Sequence, residues 1–221
     1  WAAMMPRRWA RWWRGPMGTD IEVSGVILAG GLSRRLGRDK AVEPVDGVPL
    51  IGRVMSRLSK VSQQTVVVVN EAGRVAALPL PASAKTAVDI YPDKGSLGGI
   101  FTGLSAADGE WAFVVSCDMP FLNTKLLARM LSLREGFDVV VPVIDGRPEP
   151  THALYNKACL PHMRRRLEAD ELKIIGFFEE VRVFYLAEEE LDRLDPDRLS
   201  FFNVNTQKDL DRAHELAAQR R

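Results

Sequence analysis

The sequence predicts an α/β fold in which a mostly parallel, mixed sheet is covered by helices on both faces, and three observations carry that prediction. Apolar runs of strand length at residues 23–29, 65–69, 86–89, 111–116 and 139–143 alternate with segments of helical periodicity. The runs Val66-Val67-Val68-Val69 and Phe113-Val114-Val115 lack polar alternation, as expected of central strands covered on both sides. The turn pair Asp145-Gly146 lies between residues 139–144 and 152–155, which marks a hairpin-like antiparallel excursion from the parallel sheet.

The helical segments follow from spacing and caps. Ile51, Val54, Met55, Leu58 and Val61 recur at the period of a helix with one buried stripe. Leu126, Leu127, Met130, Leu131 and Leu133 do the same after the capping candidates Asn123 and Thr124. A helix is expected over residues 157–168, and another from Thr206, where Asp209 three residues on makes an approximate capping box. No linker-like concentration of Gly and Pro, internal repeat or low-complexity tract interrupts the chain, so residues 17–221 read as one domain.

Composition narrows the partners. The 221 residues are 46% hydrophobic and 27% charged, an ordinary globular balance. Cys117 and Cys159 stand far apart with no CxxC, which excludes a zinc finger and a disulfide framework and fits a reducing cytoplasm. Residues 1–16 differ from the rest, with Trp1, Trp9, Trp12 and Trp13 among Arg7, Arg8, Arg11 and Arg14. Arginines interrupt every stretch that a secretory signal would need, so these residues read as a tag or a misassigned upstream start before Met17. Setting them aside removes four of the 30 basic residues and none of the 29 acidic ones, leaving a formal charge of −3. That balance argues against nucleic acid, and nothing in the chain calls for a membrane.

The chemistry concentrates after the first strand, in residues 28–40. Gly30 and Gly31 allow backbone N–H groups to approach a phosphate, and Arg34, Arg35, Arg38 and Lys40 bring positive charge to the same loop. In an open α/β sheet ligands bind beyond the carboxyl ends of the strands, which is where this loop lies. It matches neither GxGxxG nor GxxxxGK[ST], so a dinucleotide-binding oxidoreductase and a P-loop NTPase are disfavoured. Without further information, a plain glycine turn with solvated basic residues remains the competing reading. A second candidate is Asp118, placed after the strand at 111–116 and before Pro120; a carboxylate there is a natural anchor for a divalent cation, and equally an ordinary turn residue.

The pattern LAGGxSxRxGxxK, standing as Leu28, Ala29, Gly30, Gly31, Ser33, Arg35, Gly37 and Lys40, resembles the signature of GT-A-like nucleotidyltransferases, which have a Rossmann-like fold. Cys117-Asp118-Met119-Pro120-Phe121 resembles the CDxPF motif of molybdenum cofactor guanylyltransferases, which join GMP to molybdopterin. The stretch from Asp89 through Pro92, Asp93, Gly95, Leu97 and Gly98 to Gly99 resembles that family's DxxPDxGPLxG. Phe202-Asn203-Val204-Asn205-Thr206 with Asp209-Leu210 resembles its FxNVNTPEDL, and Glu149-Pro150 with Ala153-Leu154-Tyr155 its substrate-side segment. Ser96 stands where the family usually has proline, and Gln207-Lys208 where Pro-Glu is common.

The resemblance implies GTP and molybdopterin as substrates, Mg2+ as cofactor, and a molybdenum-inserting protein or a molybdoenzyme as further partners. It assigns Arg35 and Lys40 to the phosphates and Asp118 to the metal. Leu28, Ala29, Gly30, Gly31, Asn70, Asp89 and Gly98 fall around the nucleotide, and His152, Asn203 and Asn205 towards the acceptor. Several positions carry a second reading: Asn70 as a helix cap, Asn203 and Asn205 as turn residues, and Arg164-Arg165-Arg166 as a solvated helix face. Cys117 reads as a small packing residue behind the metal site, not a nucleophile. Cytidylyl transfer to the same cofactor and a catalytically silent GTP-binding regulator are the competing functions.

Overall fold

The four consecutive valines near residue 66 demand burial on both faces, each worth about 1.5 kcal/mol or more when fully covered, and they set the centre of the sheet. The computed structural model describes residues 22–31 and 36–220. Its strands are β1 (Val23–Leu28), β2 (Pro44–Val45), β3 (Val48–Pro49), β4 (Gln64–Val69), β5 (Lys85–Val88), β6 (Trp111–Ser116), β7 (Val139–Ile144), β8 (Arg147–Pro148), β9 (His152–Asn156) and β10 (Val183–Leu186). Its helices are α1 (Leu50–Leu58), α2 (Ala72–Val75), α3 (Gly95–Ala106), α4 (Thr124–Ser132), α5 (Leu160–Glu168), α6 (Glu188–Leu194) and α7 (Gln207–Ala218).

Among the described residues the main sheet has the order β10-β7-β9-β6-β1-β4-β5, with β8 paired to β7. β1 pairs in parallel with β4 and β6, β4 with β5, and β7 with β10. β9 runs against both β6 and β7, which makes the sheet mixed as expected. Its reversal begins at Asp145-Gly146, whose φ values of 50° and 71° are those of a tight hairpin turn.

Strand alternation divides the core between two faces. Ile27, Val67 and Val115 join Ile51, Val54, Met55 and Leu58 of α1 and Leu126 and Met130 of α4 on one side. Val26, Val66, Val68 and Val114 join Leu97, Ile100 and Leu104 of α3 and Met163 and Leu167 of α5 on the other. A third apolar cluster packs Leu210, Ala213 and Leu216 of α7 against Val45, Phe121 and Val204. The capping box at Thr206 and Asp209 forms as the sequence predicts, and Asn123 caps α4 through Lys125 N and Leu126 N. The segment at 157–168 opens with a 3-10 turn over Lys157–Cys159 before α5 begins.

The sequence reading has no counterpart for α2, α3, α6, the β2–β3 hairpin, β8 or the edge strand β10. α3 carries four glycines, each of which costs about 1 kcal/mol of intrinsic helix stability relative to alanine. Packing overrides that cost, because Leu97 through Leu104 are buried without interruption against β1 and β4. The expectation for residues 1–16 lies outside the described residues.

Candidate active site

The chain runs from β1 to β4 and β5 on one side and then crosses to β6 on the other, so a crevice opens beyond the carboxyl ends of β1, β4 and β6. A cleft of about 410 Å³ occupies it. Leu28, Gly30, Gly31, Lys40, Asn70 and Asp89, all expected at the nucleotide, line this cleft together with Ser116 and Cys117 at the end of β6. Main-chain bonds prolong the ladder past the strand ends: Ala29 N donates to Val68 O at 2.8 Å, Asp89 N to Val69 O at 2.8 Å, and Cys117 N to Leu28 O at 3.1 Å. The loops at the rim are thereby held where the rigid sheet ends.

Lys40, 78 residues from Asp118 in sequence, donates from Nζ to Asp118 Oδ2 and at 3.1 Å to Asn205 Oδ1. A 3-10 turn over Lys40–Val42 carries the lysine, and Asp39 caps it by accepting from Ala41 N at 3.0 Å. Asp118 is 5% exposed, and its Oδ1 has no hydrogen-bond partner among the described residues. Val204 N donates to the Asp118 carbonyl at 3.0 Å, tying the C-terminal segment under the carboxylate. Asp209 Oδ2 accepts from Asn205 N and Thr206 N, so the cap of α7 also places Asn205. Three segments remote in sequence thus converge on one buried ion pair.

The opposite wall is the loop between β5 and α3. Asp89 Oδ1 accepts from Tyr91 N at 3.0 Å and from Thr102 Oγ1 at 2.8 Å, while Thr102 Oγ1 accepts from Ile90 N. Asp93 and Gly95 take φ values of 65° and 61°, turning the chain so that Gly95, Ser96 and Gly99 at the amino end of α3 face the cleft. Backbone N–H groups at a helix start suit an anion. Gly98 is a correction, because it faces away: a Cβ there would lie 2.8 Å from the Tyr91 carbonyl oxygen, and Gly99 takes the lining position.

Other expected residues are placed as follows. Asn70 is not a cap, since Glu71 stands at the start of α2 and Asn70 lines the cleft. Ala29 is fully buried beneath the loop. Asn203 bends to Phe201 O at 3.0 Å, the turn reading, while Asn205 Oδ1 accepts from Lys40 Nζ at 3.1 Å. His152 does not reach the cleft: it is fully buried, its ring 4.6 Å from that of Phe201, and the cleft is lined instead by its neighbour Thr151. Burial holds the His152 pKa down to about 4, with the Asp195 charge pulling the other way. Cys117 is pushed up to about 12 by burial and then by the Asp118 charge, which excludes a thiolate nucleophile. Arg165 and Arg166 pair with Glu180, and Arg164 lies over the Phe101 ring, so that cluster is a helix face. Arg35 lies outside the described residues.

The geometry can be set beside known proteins. A family model described as the MobA-like NTP transferase domain matches residues 25–181. A probable molybdenum cofactor guanylyltransferase of Pelotomaculum thermopropionicum is 36% identical over 201 residues, covering 91% of this chain and 96% of the relative. A molybdenum cofactor guanylyltransferase of Desulfosudis oleivorans is 36% identical over 196 residues, covering 86% and 94%. The crystal structure of molybdopterin-guanine dinucleotide biosynthesis protein A from Archaeoglobus fulgidus superimposes with a TM-score of 0.77 at 30% identity, covering 89% of this chain and 99% of that one. The family model spans well over half of the chain and these relatives match it over most of its length, so the chain belongs to the MobA-like NTP transferase family.

Proposed function

We propose that this chain transfers GMP from GTP to the terminal phosphate of molybdopterin, yielding molybdopterin guanine dinucleotide and pyrophosphate. The observation that carries the reading is the buried Asp118 carboxylate, with Lys40 on one oxygen and the other oxygen unpartnered among the described residues, beside a cleft lined by Gly30 and Gly31. The named relatives, which span nearly their whole length on this chain, supply the substrate class.

Magnesium fits this donor set. A hard cation that keeps waters and substrate phosphates needs only one or two protein carboxylates, and Asp118 Oδ1 is a buried oxygen with no other partner among the described residues. Those residues contain no group of three or more His, Cys, Asp or Glu that would form a full cage. Asp118 would hold the ion, whose positive charge would offset the charge that develops on departing pyrophosphate.

The protein's own part is positioning. Gly30 and Gly31 let the loop backbone lie against the phosphates, Lys40 neutralises charge at the reacting end, and Asn205 holds the Lys40 ammonium from the acceptor side. Asp89 orders the wall that faces the nucleoside. A terminal phosphate oxygen of molybdopterin attacks the α-phosphorus in line; the new P–O bond forms as the bond from the α-phosphorus to the bridging oxygen breaks and pyrophosphate leaves. The attacking phosphate is already ionised near neutral pH, so no general base is required. The absence of a histidine from the described cleft lining is consistent with that. The setting is the cytoplasm, where GTP and reduced thiols are available.

The test is pyrophosphate release from each of the four nucleoside triphosphates with magnesium and purified molybdopterin, using wild type and Asp118→Ala. Release specific to GTP and absent in the variant is expected. Specificity for CTP would move the chain to cytidylyl transfer, and GTP binding without release from any nucleotide would establish a silent regulator.

A further inference from the structure

Nothing in the sequence marks Arg74, which stands on the four-residue helix α2. Its Nη1 donates to the Gly31 carbonyl at 3.0 Å, 43 residues away, and its Nη2 to Asp39 Oδ1 at 2.7 Å, 35 residues away. These partners sit at the two ends of the phosphate loop. Gly31 lines the cleft, and Asp39 caps the turn that carries Lys40, through the same Oδ1 that Arg74 holds.

The Arg74 side chain is only 10% exposed, and its Nε–H is buried without a hydrogen-bond partner among the described residues. A buried guanidinium with one N–H unmet is a poor source of stability, because an apolar side chain of similar volume would avoid the desolvation. What arginine supplies and other residues cannot is a rigid fork of donors that engages two acceptors at once. Its charge also covers the Asp39 carboxylate, which would otherwise repel a triphosphate entering beside it.

We infer that Arg74 is a positioning residue for nucleotide binding: it clamps the Gly31 carbonyl to the Asp39 carboxylate and so holds both ends of the phosphate loop, with Lys40 set against Asp118. The clamp acts through the loop and touches neither phosphate nor acceptor. The inference rests on the nucleotidyl-transfer reading for its substrate and not for its geometry.

The experiment measures KM for triphosphate and for molybdopterin separately in wild type, Arg74→Met, Arg74→Lys, Asp39→Asn and the Arg74→Met/Asp39→Asn pair, with melting temperatures as a check on folding. Arg74→Met is expected to raise the triphosphate KM by about tenfold or more and to leave the molybdopterin KM within about twofold. Asp39→Asn keeps an acceptor oxygen for Arg74 and loses only the charge of the pair, so it should raise the same constant less than Arg74→Met does, and the double variant should be no worse than Arg74→Met, because the clamp is already gone. Arg74→Lys should fall well short of wild type. Additive effects of the two single changes, full rescue by lysine, or equal rises in both KM values would each overturn the inference.

If wild type releases no pyrophosphate, the guanylyl reading fails, and the clamp is decided by titrating the same variants with methylanthraniloyl-GTP and methylanthraniloyl-CTP. Weaker binding in both single variants supports it, and unchanged binding sinks it.

Discussion

One oxygen of Asp118 is engaged by Lys40 and the other is buried without a partner among the described residues, so each half of this pair depends on the other. Lys40→Met removes the cation and strands a carboxylate that is nearly excluded from water. Breaking a buried pair from one side costs roughly 3 kcal/mol, and losing a charge at the reacting phosphates costs about 10²-fold or more in rate. The variant should therefore lose both melting temperature and pyrophosphate release. A rate within threefold of wild type would remove Lys40 from the machinery. Lys40 and Asp118 were legible in the sequence because a loop motif and a strand end announced them. Arg74 was not, since an arginine on a short surface helix has no local signature, and only the approach of α2 to residues 31 and 39 gives it a role.

At the scale of elements, α3 shows why glycine recurs in a helix that lines a site. Gly98 permits the loop after β5 to lie directly on the helix, where a Cβ would stand 2.8 Å from the Tyr91 carbonyl oxygen. Gly103 does the same against β1, with Val26 Cγ1 at 2.3 Å from the corresponding position. Gly98→Ala should improve intrinsic helix propensity by about 1 kcal/mol and still destabilise the protein, by about 1–3 kcal/mol net, because the loop must move. The same shift would displace Asp89 and Asp93, so the triphosphate KM should rise along with the fall in denaturation midpoint. A variant more stable than wild type would show that the loop can yield at no cost.

For the whole molecule, the buried His152 links global stability to pH. Its folded pKa of about 4 lies below the ordinary 6.5, so the unfolded chain binds the proton more readily than the folded one. Its contribution is therefore full above about pH 6.5 and is lost as pH falls from there towards 4, on the order of 3 kcal/mol at most. His152→Phe keeps a ring against Phe201 and has nothing to titrate. Chemical denaturation at pH 7 and pH 5 should give a smaller loss for the variant than for wild type; equal losses would place the acid sensitivity in other groups.

Local chemistry settled the architecture in advance. The doubly buried valine run, the helical stripe from Ile51 to Leu58, the capping box at Thr206 and the turn at Asp145-Gly146 act over a few residues, and all four stand in the structure. Resemblance of motifs added the family and most of the cleft. Tertiary structure alone decided the rest: that α3 is a helix despite its glycines, that His152 is a core residue, and that Asn205 rather than Asn203 meets Lys40. Such placements depend on which side chain lies opposite, as where Asn205 meets Lys40, 165 positions away, and His152 meets Phe201. Sequence periodicity reports which face of an element is apolar, and only packing determines what that face meets.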